Sequence, residues 1–117
     1  MCIRDSISGF LSSVPRELPV IIDEAYIAFG GTSAVPLLAD HPNLLIVNTF
    51  SKAMSLAGIR LGYALAAPRL IEALFTVKDS FNSYPVNRLT QKLGETALGE
   101  QNYYQAVSYT HLTLPTN

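Results

Sequence analysis

Lys52 follows two hydroxyl side chains, Thr49 and Ser51, and precedes Arg60 by eight residues. A primary amine can form a Schiff base with a carbonyl group, and hydroxyls with a fixed guanidinium can hold a phosphate, which arginine binds bidentately. The group Thr49, Ser51, Lys52 and Arg60 therefore suits a carbonyl ligand that carries a phosphate. Singly, each residue has an ordinary explanation: a lysine after a strand is usually a solvated charge, and an arginine usually an ion-pair partner. Lys52, however, has Phe50, Ala53, Met54, Leu56 and Ala57 around it and no acid close in sequence. Such company predicts burial of the amine, the setting that Schiff-base lysines use. Gly58 and Gly62 flank Arg60 and predict a tight backbone bend around a small ligand.

A second group, Asp23-Glu24-Ala25-Tyr26, ends another apolar run. An aspartate beside a heteroaromatic nitrogen keeps it protonated, which makes the ring an electron sink. Tyr26 could donate its hydroxyl to a ring oxygen, and Ala25 is small enough to lie flat against the ring. The plain alternative is a strand whose acids cap the next turn of the chain. A sharper alternative is the magnesium-binding strand of a P-loop ATPase, with Asn48 as its polar sensor. That reading needs G-x-x-x-x-G-K-[ST], which the chain lacks. It also leaves Ser51, Lys52 and Arg60 without a role.

The elements that must position these residues are short. Ile7, Phe10, Leu11 and Val14 are spaced as the last turns of a helix, broken by Pro15. Pro19–Asp23 and Leu44–Val47 read as strands, the second buried. Between them lie a loop over 24–32 closed by Gly30-Gly31 and a short helix from Ser33 to Asp40. Leu61–Ala67 is a third apolar run. Pro68 opens a helix with Leu70, Ile71, Leu74, Phe75 and Val77 on one face. After a polar break over 80–85, a longer helix runs from Val86 to Tyr104, with Leu89, Leu93, Ala97 and Leu98 as its stripe. Short strands alternating with helices predict an α/β fold in three layers around a mostly parallel sheet. Ligands of such sheets sit beyond the carboxyl ends of the strands, where both chemical groups fall.

Composition narrows the partners. Among 117 residues, 49% are hydrophobic and 15% charged, against about 25% charged in average soluble domains. Strands buried on both faces, or surface covered by further chain or a partner, would account for that. A net charge of −1 offers nothing to nucleic acid or an anionic membrane. No apolar run reaches the roughly 18 residues of a membrane span, and the N-terminus lacks a signal-peptide layout, so a cytoplasmic setting is expected. Cys2 is the single cysteine, and His41 and His111 stand alone, so no metal site is expected. Residues 1–6 and 107–117 read as translated adapter sequence and are set apart from the domain at 7–106.

Together, Asp23-Glu24-Ala25-Tyr26, Thr49-Phe50-Ser51-Lys52 and Gly58-Ile59-Arg60-Leu61-Gly62 resemble the fold-type I pyridoxal-phosphate aminotransferases in order and spacing. Within them the chain is most similar to the class-II histidinol-phosphate aminotransferase family. The resemblance covers residues 7–106 and implies part of the large domain. It implies pyridoxal 5'-phosphate as cofactor, Lys52 as its attachment point and proton carrier, and Asp23 at the pyridine nitrogen. It further implies Tyr26 at the phenolate oxygen, Ala25 against the ring, and Thr49, Ser51 and Arg60 at the phosphate. The strand after the lysine loop runs antiparallel in that family. An amino-acid-like phosphate substrate, 2-oxoglutarate and a homodimer are implied as well. The family's Gly-rich phosphate loop, ring-stacking aromatic, phenolate asparagine, substrate-carboxylate arginine and partner-subunit tyrosine are not located in this segment. The segment by itself is therefore expected to be inactive in transamination. Another aminotransferase or decarboxylase of the same fold, or an aminotransferase-like regulatory domain, shares the same residues.

Overall fold

The computed structural model describes residues 3–100 and 102–106, so Cys2, His111 and the 107–117 tail lie outside the described residues. The order of elements is α1 (Ile3–Ser13), β1 (Val20–Asp23), β2 (Leu44–Thr49), β3 (Gly62–Ala66), α2 (Pro68–Phe81) and α3 (Arg88–Gly99). Helix α1 begins at Ile3 and so continues through Ile3–Ser6. It stops where the Ser12 and Ser13 hydroxyls donate to the carbonyls of Ser8 and Phe10, shortly before Pro15.

β2 is the middle strand. β1 pairs with it in parallel, Val20 opposite Leu44 through Asp23 opposite Val47. β3 pairs antiparallel on its other side, Thr49 opposite Gly62 and Leu45 opposite Ala66. The sheet within this chain is thus mixed, and the strand after the lysine loop is the antiparallel one.

The core lies on the face carrying Leu44 and Ile46, which are 0% and 1% exposed. Leu11 of α1 and Ala34 complete the buried cluster, with Ile7, Val20, Ile22, Leu37 and Leu38 packed against it. The opposite face carries Gly62 and Ala64, where α2 lies with Ile71 and Leu74. Three layers result. β2 is buried at three successive positions, Leu44, Leu45 and Ile46, while β1 alternates and leaves Ile21 66% exposed. The helix expected from Ser33 is instead a 3₁₀ turn over Val35–Ala39. Its N-cap is Ala34 rather than Ser33, whose hydroxyl accepts from the Val35 N–H at 3.1 Å in a local turn before it.

α3 departs most from the expected stripe. Its buried residues are Thr90, Gly94 and Ala97, whereas Leu89 is 70% and Leu98 50% exposed. The cause is close approach: a Cβ at Gly94 would stand 2.6 Å from the Leu61 side chain and 3.9 Å from the Phe50 ring. A side chain at Gly94 would have to displace the end of Leu61. Asn87, not Val86, starts the helix, its side chain accepting from the Thr90 N–H at 2.8 Å. The helix ends at Gly99, and Tyr104 lies in a further helical stretch over 102–106.

Ile46→Ala should cost about 2–5 kcal/mol, because the buried strand cannot close over the lost atoms. Ile21→Ala, on the open face, should cost less than about 0.5 kcal/mol. Urea denaturation midpoints of the two variants check the ranking, and equal losses would contradict this assignment of faces.

Candidate active site at the sheet rim

The parallel register sets the site. Glu24 N–H donates to the Val47 carbonyl at 2.9 Å, which extends the β1–β2 ladder one residue beyond Asp23. Asp23, Thr49 and the loop leaving Thr49 therefore share the rim beyond the carboxyl ends of β1 and β2.

The two acids at the end of β1 point to opposite faces, as strand alternation requires. Asp23 is exposed, and one carboxylate oxygen accepts the Ala25 N–H at 2.9 Å in an Asx turn. Glu24 is 5% exposed. Its Oε1 accepts the Ala34 N–H at 2.6 Å, and the Ser33 hydroxyl donates to its Oε2 at 2.9 Å. The carboxylate thus closes the segment 24–34 onto itself. Tyr26 leads the 3₁₀ turn Ile27–Phe29, which ends on left-handed Gly30 at φ 114°. Its ring is 64% exposed and leans on Phe29 at 6.1 Å between centroids.

The lysine loop is knitted by backbone. Phe50 N–H donates to the Leu61 carbonyl at 3.1 Å, and the Phe50 carbonyl accepts from Leu56 at 3.0 Å. Thr49 Oγ1 accepts the Ser51 N–H at 3.1 Å and donates to the Leu61 carbonyl at 3.4 Å. Phe50 is 3% exposed and anchors the loop beneath α3. Lys52, two residues on, faces outward, with its Nζ 5.1 Å from the centroid of the Tyr26 ring. This corrects the expected burial of Lys52: Phe50 takes the interior position and the turn carries the amine to the rim. A cation over a ring at an exposed site contributes about 0.5–1 kcal/mol.

The bend around Arg60 also falls differently. Gly58 and Gly62 do not carry it; Ser55 and Arg60 do, at φ 54° and 53°. A non-glycine residue held there stores about 1–2 kcal/mol of strain, a pattern associated with functional loops. The Arg60 guanidinium is exposed and donates to the Ala57 carbonyl at 3.1 Å. Gly62 has a separate reason: a Cβ would stand 2.8 Å from the Asn48 carbonyl oxygen across the strand pair.

Of the seven residues singled out from the sequence, the fold brings Lys52 against Tyr26, Thr49 against Ser51, and Asp23 against Ala25. Arg60 is held by its own loop. Two residues were missed. Glu24 looked like the neighbour of the chemical acid but is the pin of the loop; its partners Ser33 and Ala34 lie nine and ten residues away. Tyr63 is the other. Burial pushes its phenol above the ordinary value of 10.0, and the negative charge of Glu24 adds to the rise. Among the described residues no cluster of His, Cys, Asp and Glu could hold a metal, and no helix is long and apolar enough to cross a membrane.

Residues 5–112 match the family model for aminotransferase class I and II, and the chain belongs to that family. A histidinol-phosphate aminotransferase of Syntrophus aciditrophicus is 56% identical over 98 residues, which are 84% of this chain and 27% of that protein. One from Chromohalobacter salexigens is 52% identical over 103 residues, 88% of this chain and 29% of that protein. The chain thus spans under a third of these relatives. The crystal structure of histidinol-phosphate aminotransferase from Sinorhizobium meliloti in complex with pyridoxal-5'-phosphate superposes with a TM-score of 0.78. It is 29% identical and covers 91% of this chain and 29% of its own. Family membership sets aside the ATPase reading, and the structure adds a reason: the Glu24 carboxylate is taken up by Ser33 and Ala34.

A phenol whose folded pKa is raised binds its proton more tightly folded than unfolded. Above about pH 10 the unfolded chain releases that proton first, so stability is full below pH 10 and falls as pH rises through the folded value. Tyr63→Phe should flatten that alkaline loss. Denaturation midpoints from pH 8 to 11.5 check it, and an unchanged slope in the variant would contradict it.

Proposed function

We propose that this chain is part of a pyridoxal-phosphate-dependent aminotransferase that exchanges an amino group between histidinol phosphate and 2-oxoglutarate in histidine biosynthesis. Residues 7–106 carry this reading. The observation behind it is the shared rim, where Lys52 lies against Tyr26 while Asp23, Thr49 and Ser51 follow the ends of adjacent parallel strands. Family membership and relatives bearing the histidinol-phosphate name support it.

The donor set fits pyridoxal phosphate. An amine is present for its aldehyde, a carboxylate for its pyridinium nitrogen, a phenol for its phenolate oxygen, and two hydroxyls with a guanidinium for its phosphate. When bound, the cofactor supplies an electron-poor ring that stabilises negative charge developing on a substrate carbon. Asp23 keeps the ring nitrogen protonated through the carboxylate oxygen that the Asx turn leaves over. Ala25 allows close packing beside the ring. Thr49 and Ser51 orient the phosphate, and Arg60 neutralises it once its guanidinium leaves the Ala57 carbonyl. Lys52 Nζ takes up and returns the substrate proton. The proposal includes a homodimer in a cytoplasmic setting, with an amino-acid-like phosphate as donor.

The cofactor is tested by adding pyridoxal phosphate and then borohydride to the chain. Peptide mapping should place the reduced adduct on Lys52, and Lys52→Ala should lose it. An adduct spread evenly over Lys78 and Lys92 as well would overturn the assignment. The substrate is tested with the full-length enzyme that carries this segment, which should form glutamate from histidinol phosphate and 2-oxoglutarate. No glutamate from that donor, with ready turnover of a phosphate-free amino acid, would replace the substrate and keep the cofactor.

A further inference from the structure

Among the groups that the proposed function places at the phosphate, Arg60 is the one whose backbone stands in the left-handed region, at φ 53°. An L residue is disfavoured there. Turning over the Ile59–Arg60 peptide plane would relieve it, because that plane sets φ at Arg60. The plane is gripped at both ends. The Arg60 N–H donates to the Ala57 carbonyl at 3.4 Å. The Thr90 hydroxyl, from a residue 31 positions on, donates to the Ile59 carbonyl at 3.5 Å. Both bonds are long and neither is strong alone, but a flip of the plane breaks the two together.

Thr90 is itself fixed. It is buried in the first turn of α3, and its N–H donates to the Asn87 side chain at 2.8 Å. The residue after Arg60 meets the same helix. The Leu61 side chain lies in the room left by Gly94, and the Leu61 carbonyl accepts the Phe50 N–H at 3.1 Å. α3 therefore holds the chain on both sides of Arg60. Ile59 and Leu61 are half-buried against it, while Arg60 between them is exposed.

We propose that Thr90 is a positioning residue for the cofactor's phosphate: its hydroxyl holds the Ile59–Arg60 peptide, and through it the backbone that presents the Arg60 guanidinium at the rim. The inference rests on the cofactor reading above and adds to it a residue of α3 that acts through Arg60. A guanidinium on a fixed backbone has less freedom to lose when it binds. Releasing the peptide should therefore weaken the hold on the phosphate and spare the rest of the ligand.

The test uses the full-length enzyme that carries this segment. Thr90→Val keeps the side chain's shape and removes its hydroxyl; Thr90→Ser keeps the hydroxyl. The probes are pyridoxal phosphate and pyridoxal, which differ by the phosphate alone, and the readout is equilibrium affinity by absorbance titration. Thr90→Val should weaken pyridoxal phosphate about two- to fivefold, the size of one modest hydrogen bond, and leave pyridoxal unchanged. Thr90→Ser should bind both within about twofold of the unchanged protein. In an Arg60→Ala background, Thr90→Val should have no further effect, because the two residues act on one group.

Unchanged pyridoxal phosphate affinity in Thr90→Val, where Arg60→Ala weakens it, would overturn the role of Thr90 and leave the cofactor reading standing. Equal weakening of pyridoxal and pyridoxal phosphate would also overturn it, as a general loss of structure. So would a Thr90→Ser variant as weak as Thr90→Val. An Arg60→Ala variant that keeps the full preference for the phosphorylated probe would overturn the phosphate role of Arg60 and this inference with it.

Discussion

The structure depends on one buried charge. Among the described residues Glu24 is the charged side chain that the fold removes from water. A carboxylate in that position is tolerated only when its oxygens are hydrogen-bonded. Ala34 and Ser33 supply those bonds from the far side of a ten-residue excursion. Satisfying the charge therefore requires the loop between β1 and the Val35–Ala39 turn to close in one way. Closing it seats Ala34, 1% exposed, in the core beside Leu44 and Ile46. It also leaves Asp23 and Tyr26 on the outer side of the same rim. On β3, burial raises the Tyr63 phenol and the same charge adds to that rise.

The lysine loop is held by close approach rather than by charge. Gly62 lets β3 begin against the Asn48 carbonyl, and Gly94 lets α3 rest on Leu61 and Phe50. Between these contacts the backbone closes on itself through Phe50, Leu56 and Leu61, with two residues in the left-handed region. A loop built this way has little freedom in its frame, yet it presents Lys52 and Arg60 at its surface. Under the proposed function, rigid backbone with exposed side chains would position a small ligand in this part of the chain.

Much of this was legible in the sequence. The strands, the proline that opens α2 and the two chemical groups on one rim come from local rules: apolar runs, proline at a first helical turn, and ligands beyond strand ends. The order and spacing of the three motifs were enough to point to the aminotransferase family. The antiparallel direction of β3 came from that resemblance, since no local pattern encodes it. Where reading failed, the reason was contact between distant residues. The α3 stripe expected at Leu89, Leu93, Ala97 and Leu98 follows the rule that apolar residues mark the buried face. Of these Ala97 is buried, but the neighbouring loop runs so close that its companions on the buried face are Thr90 and Gly94 rather than the leucines.

The sequence by itself determined which groups are available: an amine between hydroxyls and a guanidinium, and a carboxylate three residues before a tyrosine. Those are properties of residue type and spacing, and they hold in any fold that keeps the segments together. Tertiary structure alone decided how the groups are disposed. It turned Lys52 outward onto the Tyr26 ring, gave Asp23 to the rim and Glu24 to the interior, and placed the tight bend on Arg60 rather than on its flanking glycines. The physical reason is that burial, ring contact and backbone strain depend on atoms brought from far along the chain.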